Sequence, residues 1–411
     1  MTITFREKLL KKTLDLGFAT ALNKSAQFFF LIYLSVFKSQ DEFVLYIEFA
    51  LYTEILAVLL AHGANSSVLK GSLADNIHLN LTISLFFVSV LTILLALVLP
   101  LFTFKDLDEL MIFILIGSPT IALNSIHKSA AISEKKLGIY SRSLRFSNMV
   151  LLIYPICDFF ITTLSILDAL AFLILSNLIS ILLIGYYPKE IVKALSFENM
   201  KNYLLSSFPF LVRNNLGSVT KNMGLFNISL SGSVNGLSGY GLINKIADQV
   251  GQLLSLLTVQ FIPELRDALQ NSKAKDVDQY LKIILNVVIW FLLISSSISY
   301  AIFLGISIIN PKAWILDFRL ESYILIFAIG IGFVKSNLAT WEFLKTKHAG
   351  KIVVILEFCF LIIAYSIYSS MYSVLDTLGV SLGYLLIQII QLAVNAFLFR
   401  FFRNKLMYKR K

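Results

Sequence analysis

The chain has 411 residues, 57% of them hydrophobic and 15% charged, with a mean hydropathy of +0.79 and a formal net charge of +10. Soluble domains carry about 25% charged residues, and no globular fold of this size hides so large an apolar share. A cytosolic enzyme is excluded, and so is a soluble body on one or two anchors, because apolar residues recur along the whole length.

The N-terminus reads Arg6, Lys8, Lys11, Lys12 and then an apolar stretch. Asn23 and Lys24 interrupt that stretch and no small-residue cleavage site follows, so a retained first helix is expected rather than a removed leader. Runs long enough to span a bilayer then fall at 14–37, 42–63, 79–103, 109–127, 146–166, 168–187, 203–230, 236–263, 281–309, 319–340, 352–373 and 377–399. A span with a short loop uses roughly 30–35 residues, so about twelve fit. The seventh run is the most polar, with Arg213, Asn214, Asn215, Lys221 and Asn222.

With both termini placed inside, the inner segments carry 26 Lys/Arg and the outer loops four, namely Lys38, Lys105, Lys312 and Arg319. This asymmetry predicts cytoplasmic termini and explains most of the net charge as topology rather than nucleic-acid binding. Connections are short and no G-x-x-x-x-G-K-[ST] phosphate loop is present, so an ion or substrate gradient is the expected energy source. Cys157 and Cys359 lie in apolar runs, so no disulfide framework is expected.

Helices 1–2 and 7–8 share features. Tyr46 and Tyr240 open helices 2 and 8, and Lys70 and Arg266 follow them 24 and 26 residues later. Six helices and then six more, both sets starting inside, make a parallel repeat. The expected domains are an N-terminal lobe over 1–187, a cytoplasmic linker over 188–202 with Pro188, Lys189, Lys193 and Lys201, and a C-terminal lobe over 203–411 ending in a short basic tail. Two such lobes place a substrate site between them near mid-membrane.

A charge at the bilayer centre costs about 2.5–3.5 kcal/mol on insertion scales, so it needs a cavity or a partner. At 1.5 Å per residue, Lys24, Arg213 and Lys245 fall about 14–15 Å into their runs, near mid-depth. Lys221 falls nearer the outer side, and Lys335 is expected to snorkel to headgroups. Arg213 and Lys221 are about 80° apart around helix 7, beside Asn214 and Asn222, and no acid lies in that run. One reading is a lumen for an anionic group, with Arg213 forking onto phosphate; the other is pairing with acids across helices. Lys245 and Asp248 are spaced to pair within helix 8. Glu54 and Asp158, both expected at mid-depth, and Asp248 are candidates for ion coupling, or for plain ion pairs. Asn23, Asn215, Gln249 and Gln252 would line the same cavity and hydrogen-bond sugar hydroxyls, or join helices. The four histidines, His62, His78, His127 and His348, are all predicted near the inner surface, and no catalytic pair, metal-ligand set or cofactor motif emerges, so no enzyme is expected.

Two stretches carry a resemblance: Gly63-Ala64-Asn65-Ser66-Ser67-Val68-Leu69-Lys70, and its counterpart from Gly239-Tyr240-Gly241-Leu242 through Lys245-Ile246 to Pro263-Glu264-Leu265-Arg266. With twelve spans in two halves, the chain resembles the multidrug/oligosaccharidyl-lipid/polysaccharide exporter superfamily, and is most similar to its O-antigen and polysaccharide flippases. The resemblance implies an all-α, MATE-like fold of two six-helix lobes in a V around a central cavity. It implies export of an undecaprenyl-pyrophosphate-linked oligosaccharide across a bacterial inner membrane, with Lys24, Arg213 and Lys245 suited to the pyrophosphate. Its implied partners are that lipid-linked oligosaccharide, membrane lipids, and the polymerase and chain-length regulator of the pathway. A drug antiporter of the same fold would favour an acidic, aromatic cavity, and a polysaccharide polymerase or acyltransferase would need a large outer loop that this chain lacks. A transporter of the major facilitator type would carry a basic loop between helices 2 and 3, where Lys70 stands alone.

Overall fold

A computed structural model describes residues 25–61, 63–64, 77–98, 108–134, 136–161, 163–185, 195–259, 274–309, 314–345 and 349–408. Among them the chain forms twelve long helices: α1 Ser25–Phe37, α2 Gln40–Leu60, α3 Ile77–Val98, α4 Asp108–Ser133, α5 Leu137–Phe160, α6 Ile166–Ile184, α7 Phe197–Leu230, α8 Val234–Val259, α9 Ala274–Ile309 and α10 Arg319–Lys345, then α11 and α12, which share Ala349–Tyr408 and meet at Asp376. Asp376 has φ 53°, outside helical geometry, and this breaks the run in two. Each helix overlaps one predicted run. The fold is an all-α, multi-pass membrane protein.

By length and composition, six stretches are apolar enough to cross a membrane: Gln40–Leu60, His78–Leu97, Leu110–Ser133, Ile166–Ile184, Leu285–Gly305 and Ile355–Leu398, the last covering α11 and α12. Helices α5, α7, α8 and α10 carry more polar residues. In α5 the polarity turns inward: Ser143, Ser147, Asn148 and Tyr154 are buried, while Phe146, Met149, Ile153 and Ile156 face out. A bilayer reverses the soluble pattern in this way, because lipid takes apolar side chains and polar ones are satisfied between helices.

Local chemistry sets several boundaries. Ser39 caps α2 and Ser165 caps α6, each closing a capping box with Glu42 or Asp168. Gly185 ends α6 with φ 69°, a left-handed conformation that a Cβ would strain.

The chain folds as two compact units, residues 1–218 and 219–411, so the division falls within α7. The residues before the division are anchored in the first unit by Tyr203, whose buried hydroxyl meets Ser84 Oγ at 2.5 Å and whose ring stacks on Phe87. α7 begins at Phe197, so the end of the expected 188–202 linker is helical. Within the first unit α2 packs on α4, α4 on α6, α3 on α4 and α5 on α6. Within the second, α8 packs on α10, α10 on the α11–α12 pair, and α9 on α10. The first three pairings therefore recur with helix numbers shifted by six.

The ends of these helices repeat as well. Just after α1, Lys38 reaches the last turn of α5 and pairs with Asp158. Just after α7, Ser231 Oγ reaches the end of α11 and meets Tyr372 Oη at 2.6 Å. Each unit thus ties a turn between two helices, α1–α2 or α7–α8, to the junction of two later ones, α5–α6 or α11–α12.

Candidate functional site

In the second unit, α8 is an interior helix that carries a buried lysine. From Gly236 to Ala247 every residue of this helix is buried. The close approach depends on glycine: a Cβ on Gly239 would lie 2.1 Å from the Phe318 ring, which belongs to the short 3₁₀ turn Trp314–Phe318. Gly224 plays the same part on α7, where a Cβ would lie 2.3 Å from Val380 and 3.4 Å from the Tyr240 hydroxyl. The interior helix then carries Asn244, Lys245, Asp248, Gln249 and Gln252 within just over two turns. Asn244 is 4% exposed and Lys245 9%.

Across from α8, Lys221 Nζ lies 2.8 Å from Asp248 Oδ2. The Asp248 side chain is 10% exposed and that of Lys221 28%. The carboxylate is thus largely removed from water, where charge–charge attraction is several times stronger than in bulk solvent. The expected unneutralised cation on α7 accordingly has an acid, supplied by the neighbouring helix. Helix periodicity shows which residues share a face, but not which helix lies opposite, so sequence spacing suggested the in-helix Lys245–Asp248 pair instead. Buried side-chain atoms nearby in sequence, Asn244 Nδ2 and Thr220 Oγ1, have no hydrogen-bond partner among the described residues. Buried polar atoms ordinarily have one.

The other expected site residues are dispersed. Asn23 and Lys24 lie outside the described residues. Arg213 and Gln252 are placed on α7 and α8 by their backbone, and their side chains lie outside the description. Asn214 and Asn215 are half-buried on α7, and Asn215 Nδ2 donates to the Leu211 carbonyl at 2.8 Å, one turn back. Gln249 on α8 and Glu54 on α2 are half-buried.

Asp158 belongs to a different constellation. It stands in the last turn of α5 rather than at mid-depth, because α5 starts at Leu137, nine residues before the apolar run. One carboxylate oxygen, Oδ2, takes Lys38 Nζ at 2.8 Å and the Tyr33 hydroxyl at 2.9 Å; the other takes the Leu164 amide at 2.6 Å. Lys38 also donates to the Leu164 carbonyl at 2.6 Å and lies 5.7 Å from the Tyr154 ring centre. Both charged side chains are under 10% exposed. The arrangement fastens the α1–α2 turn to the α5–α6 turn. Sequence reasoning placed Lys38 only as an outer-loop charge. The available clue was that Lys38 and Leu164 each stand immediately before a capping serine.

Lys335 is also repositioned. Its Nζ donates to Gln391 Oε1 of α12 at 2.5 Å, so this lysine joins two helices rather than serving only as a snorkelling residue. Among the described residues no group of three or more His, Cys, Asp or Glu side chains could hold a metal. Cys157 is half-buried and Cys359 exposed, both as free thiols.

No protein-family model and no curated protein matches the sequence. Solved structures do match its fold. A Vibrio cholerae MATE transporter, VcmN, superposes with a TM-score of 0.70 at 13% identity over 96% of each chain. A Pyrococcus furiosus transporter of the MOP superfamily, described as having a binding pocket of reverse polarity, gives 0.61 at 16% identity over 97% of this chain and 96% of that one. An outward-facing multidrug resistance MATE transporter gives 0.57 at 14% identity over 97% of this chain and 96% of that one. These likenesses show that the MATE-type fold extends over essentially the whole chain.

Proposed function

We propose that this chain, built on the MATE-type fold, is a transporter of the polysaccharide-flippase kind. It moves an undecaprenyl-pyrophosphate-linked oligosaccharide from the cytoplasmic to the periplasmic leaflet of a bacterial inner membrane. The observation that carries the reading is the buried lysine of α8: Lys245 sits on an interior helix at 9% exposure, beside Asn244. A lysine held inside a membrane protein is costly and marks function by default. Its sign suits an anionic pyrophosphate better than a cationic drug. The Pyrococcus furiosus relative, whose pocket polarity is described as reversed and as suggesting a different function, indicates that one fold serves pockets of opposite character.

In this proposal Lys24, Arg213, Lys221 and Lys245 receive the pyrophosphate, and Asn23, Asn214, Asn215, Gln249 and Gln252 meet the sugar. Asp248 competes with the substrate for Lys221. When the pyrophosphate takes the ammonium, the released carboxylate accepts a proton, and this couples movement to a gradient. Glu54 is a second acid available for coupling. Asp158, already satisfied by three groups at a helix end, serves structure under this reading. The polymerase and chain-length regulator of the pathway would work on the exported product. The lipid tail stays in the bilayer throughout, and binding remains moderate so that release is possible.

Deleting the gene should remove long-chain surface polysaccharide and leave lipid-linked repeat units facing the cytoplasm. Persistence of the polysaccharide with increased drug sensitivity would favour the antiporter. Arg213→Ala should abolish complementation at unchanged protein level; an active Arg213→Ala variant would overturn the anion site.

A further inference from the structure

Helix α5 carries a feature that the transport reading does not use. Along one face Arg142, Phe146, Met149, Ile153, Ile156 and Phe160 recur at intervals of three and four residues. The five apolar members are 44–76% exposed, and Arg142 and the neighbouring Arg145 are exposed too. At 1.5 Å per residue the stripe is about 27 Å long, close to the roughly 30 Å of a hydrocarbon core. One end is therefore a pair of guanidinium groups at a headgroup level, and the rest is a lipid-facing track.

Among the described residues the two arginines have no counter-charge. Arg142 and Arg145 are three apart, adjacent on the helix surface, where like charges repel. Neither makes an ion pair or hydrogen bond among the described residues. The described acid nearest in sequence, Glu134, pairs with Lys136 at 2.6 Å. Asp158 is the only acid within α5, and it is held by Lys38 at the far end. A general excess of inner positive charge accounts for basic residues on that side, but not for two exposed arginines aligned with a continuous apolar stripe.

We propose that this face of α5 binds one anionic glycerophospholipid of the leaflet next to the α4–α5 turn. Its phosphate is forked by Arg142 and Arg145, and one acyl chain lies along Phe146, Met149 and Ile153. The guanidinium geometry suits two phosphate oxygens at once, and the charges are complementary. This inference concerns the outer surface of the first unit and does not rest on the transport reading.

The test uses the full chain in phosphatidylcholine vesicles that contain photoreactive phosphatidylglycerol or, separately, photoreactive phosphatidylcholine, with cross-links mapped by mass spectrometry. Phosphatidylglycerol should label residues 137–160 in clear preference to phosphatidylcholine. Each arginine near a membrane surface contributes a factor of about five, so Arg142→Gln or Arg145→Gln should lower the preference roughly fivefold, and the double change about thirtyfold. Arg142→Lys with Arg145→Lys should retain most of it, and phosphatidylcholine labelling should stay constant across variants, which reports an intact fold. Equal labelling of the wild type by both lipids would overturn the proposal, and so would an unchanged preference in the double glutamine variant. Excess undecaprenyl pyrophosphate should leave the labelling in place; displacement would reassign the track to that lipid and overturn it as well.

Discussion

Asp158 shows how a charge can be nearly inaccessible and still satisfied. It accepts from a lysine, a phenol and a backbone amide, all close to the ends of helices. Removing one member of such a buried pair typically costs about 3–5 kcal/mol, whereas replacing both by well-packed apolar groups is close to neutral. Lys38→Met should therefore lower the unfolding midpoint of the detergent-solubilised protein markedly. Lys38→Met with Asp158→Leu should recover most of that loss, and a double-mutant cycle measures the difference. At the Lys221–Asp248 pair the expected outcome is of another kind. If Asp248 exchanges between lysine and proton, Asp248→Asn should keep the protein folded yet abolish gradient-driven translocation in proteoliposomes, leaving passive exchange of the lipid. The residue types at both sites were legible in the sequence; their partners were not. Lys221 and Asp248 are 27 positions apart, and Lys38 and Asp158 are 120 apart. Periodicity along one helix holds no information on such distances.

At the scale of elements the sequence was far more informative. All twelve described helices fall on apolar runs, because spanning a bilayer demands about twenty apolar residues in a row. The starts of α5, α7 and α9 were less legible. They begin at Leu137, Phe197 and Ala274, six to nine residues before the runs at 146, 203 and 281. The early turns carry polar residues that sit outside the hydrocarbon while the backbone is already helical, and hydropathy does not register them. The tightness of α8 was likewise hidden, since a glycine next to a ring cannot be foreseen from a run of letters. Gly239→Ala should cost about 1–3 kcal/mol through overpacking against Phe318. The loss should appear as a lower thermal midpoint, and adding Phe318→Leu should relieve part of it.

For the molecule as a whole, charge distribution predicts orientation. A C-terminal fluorescent-protein fusion should be fluorescent and a C-terminal alkaline phosphatase fusion inactive, as for a cytoplasmic terminus. The opposite pair of results would invert the topology and place Arg142 and Arg145 in the other leaflet. The recurrence of helix pairings at an offset of six extends to the fastening points, but the chemistry there differs. The first unit uses an ammonium and a carboxylate, and the second uses two hydroxyls, Ser231 and Tyr372. A fold that accepts either bond at one address specifies where its hairpins are riveted and leaves the metal of the rivet open. The two fasteners are then spare parts for one another. A designer could exchange them to tune how strongly each half resists salt without redrawing either bundle.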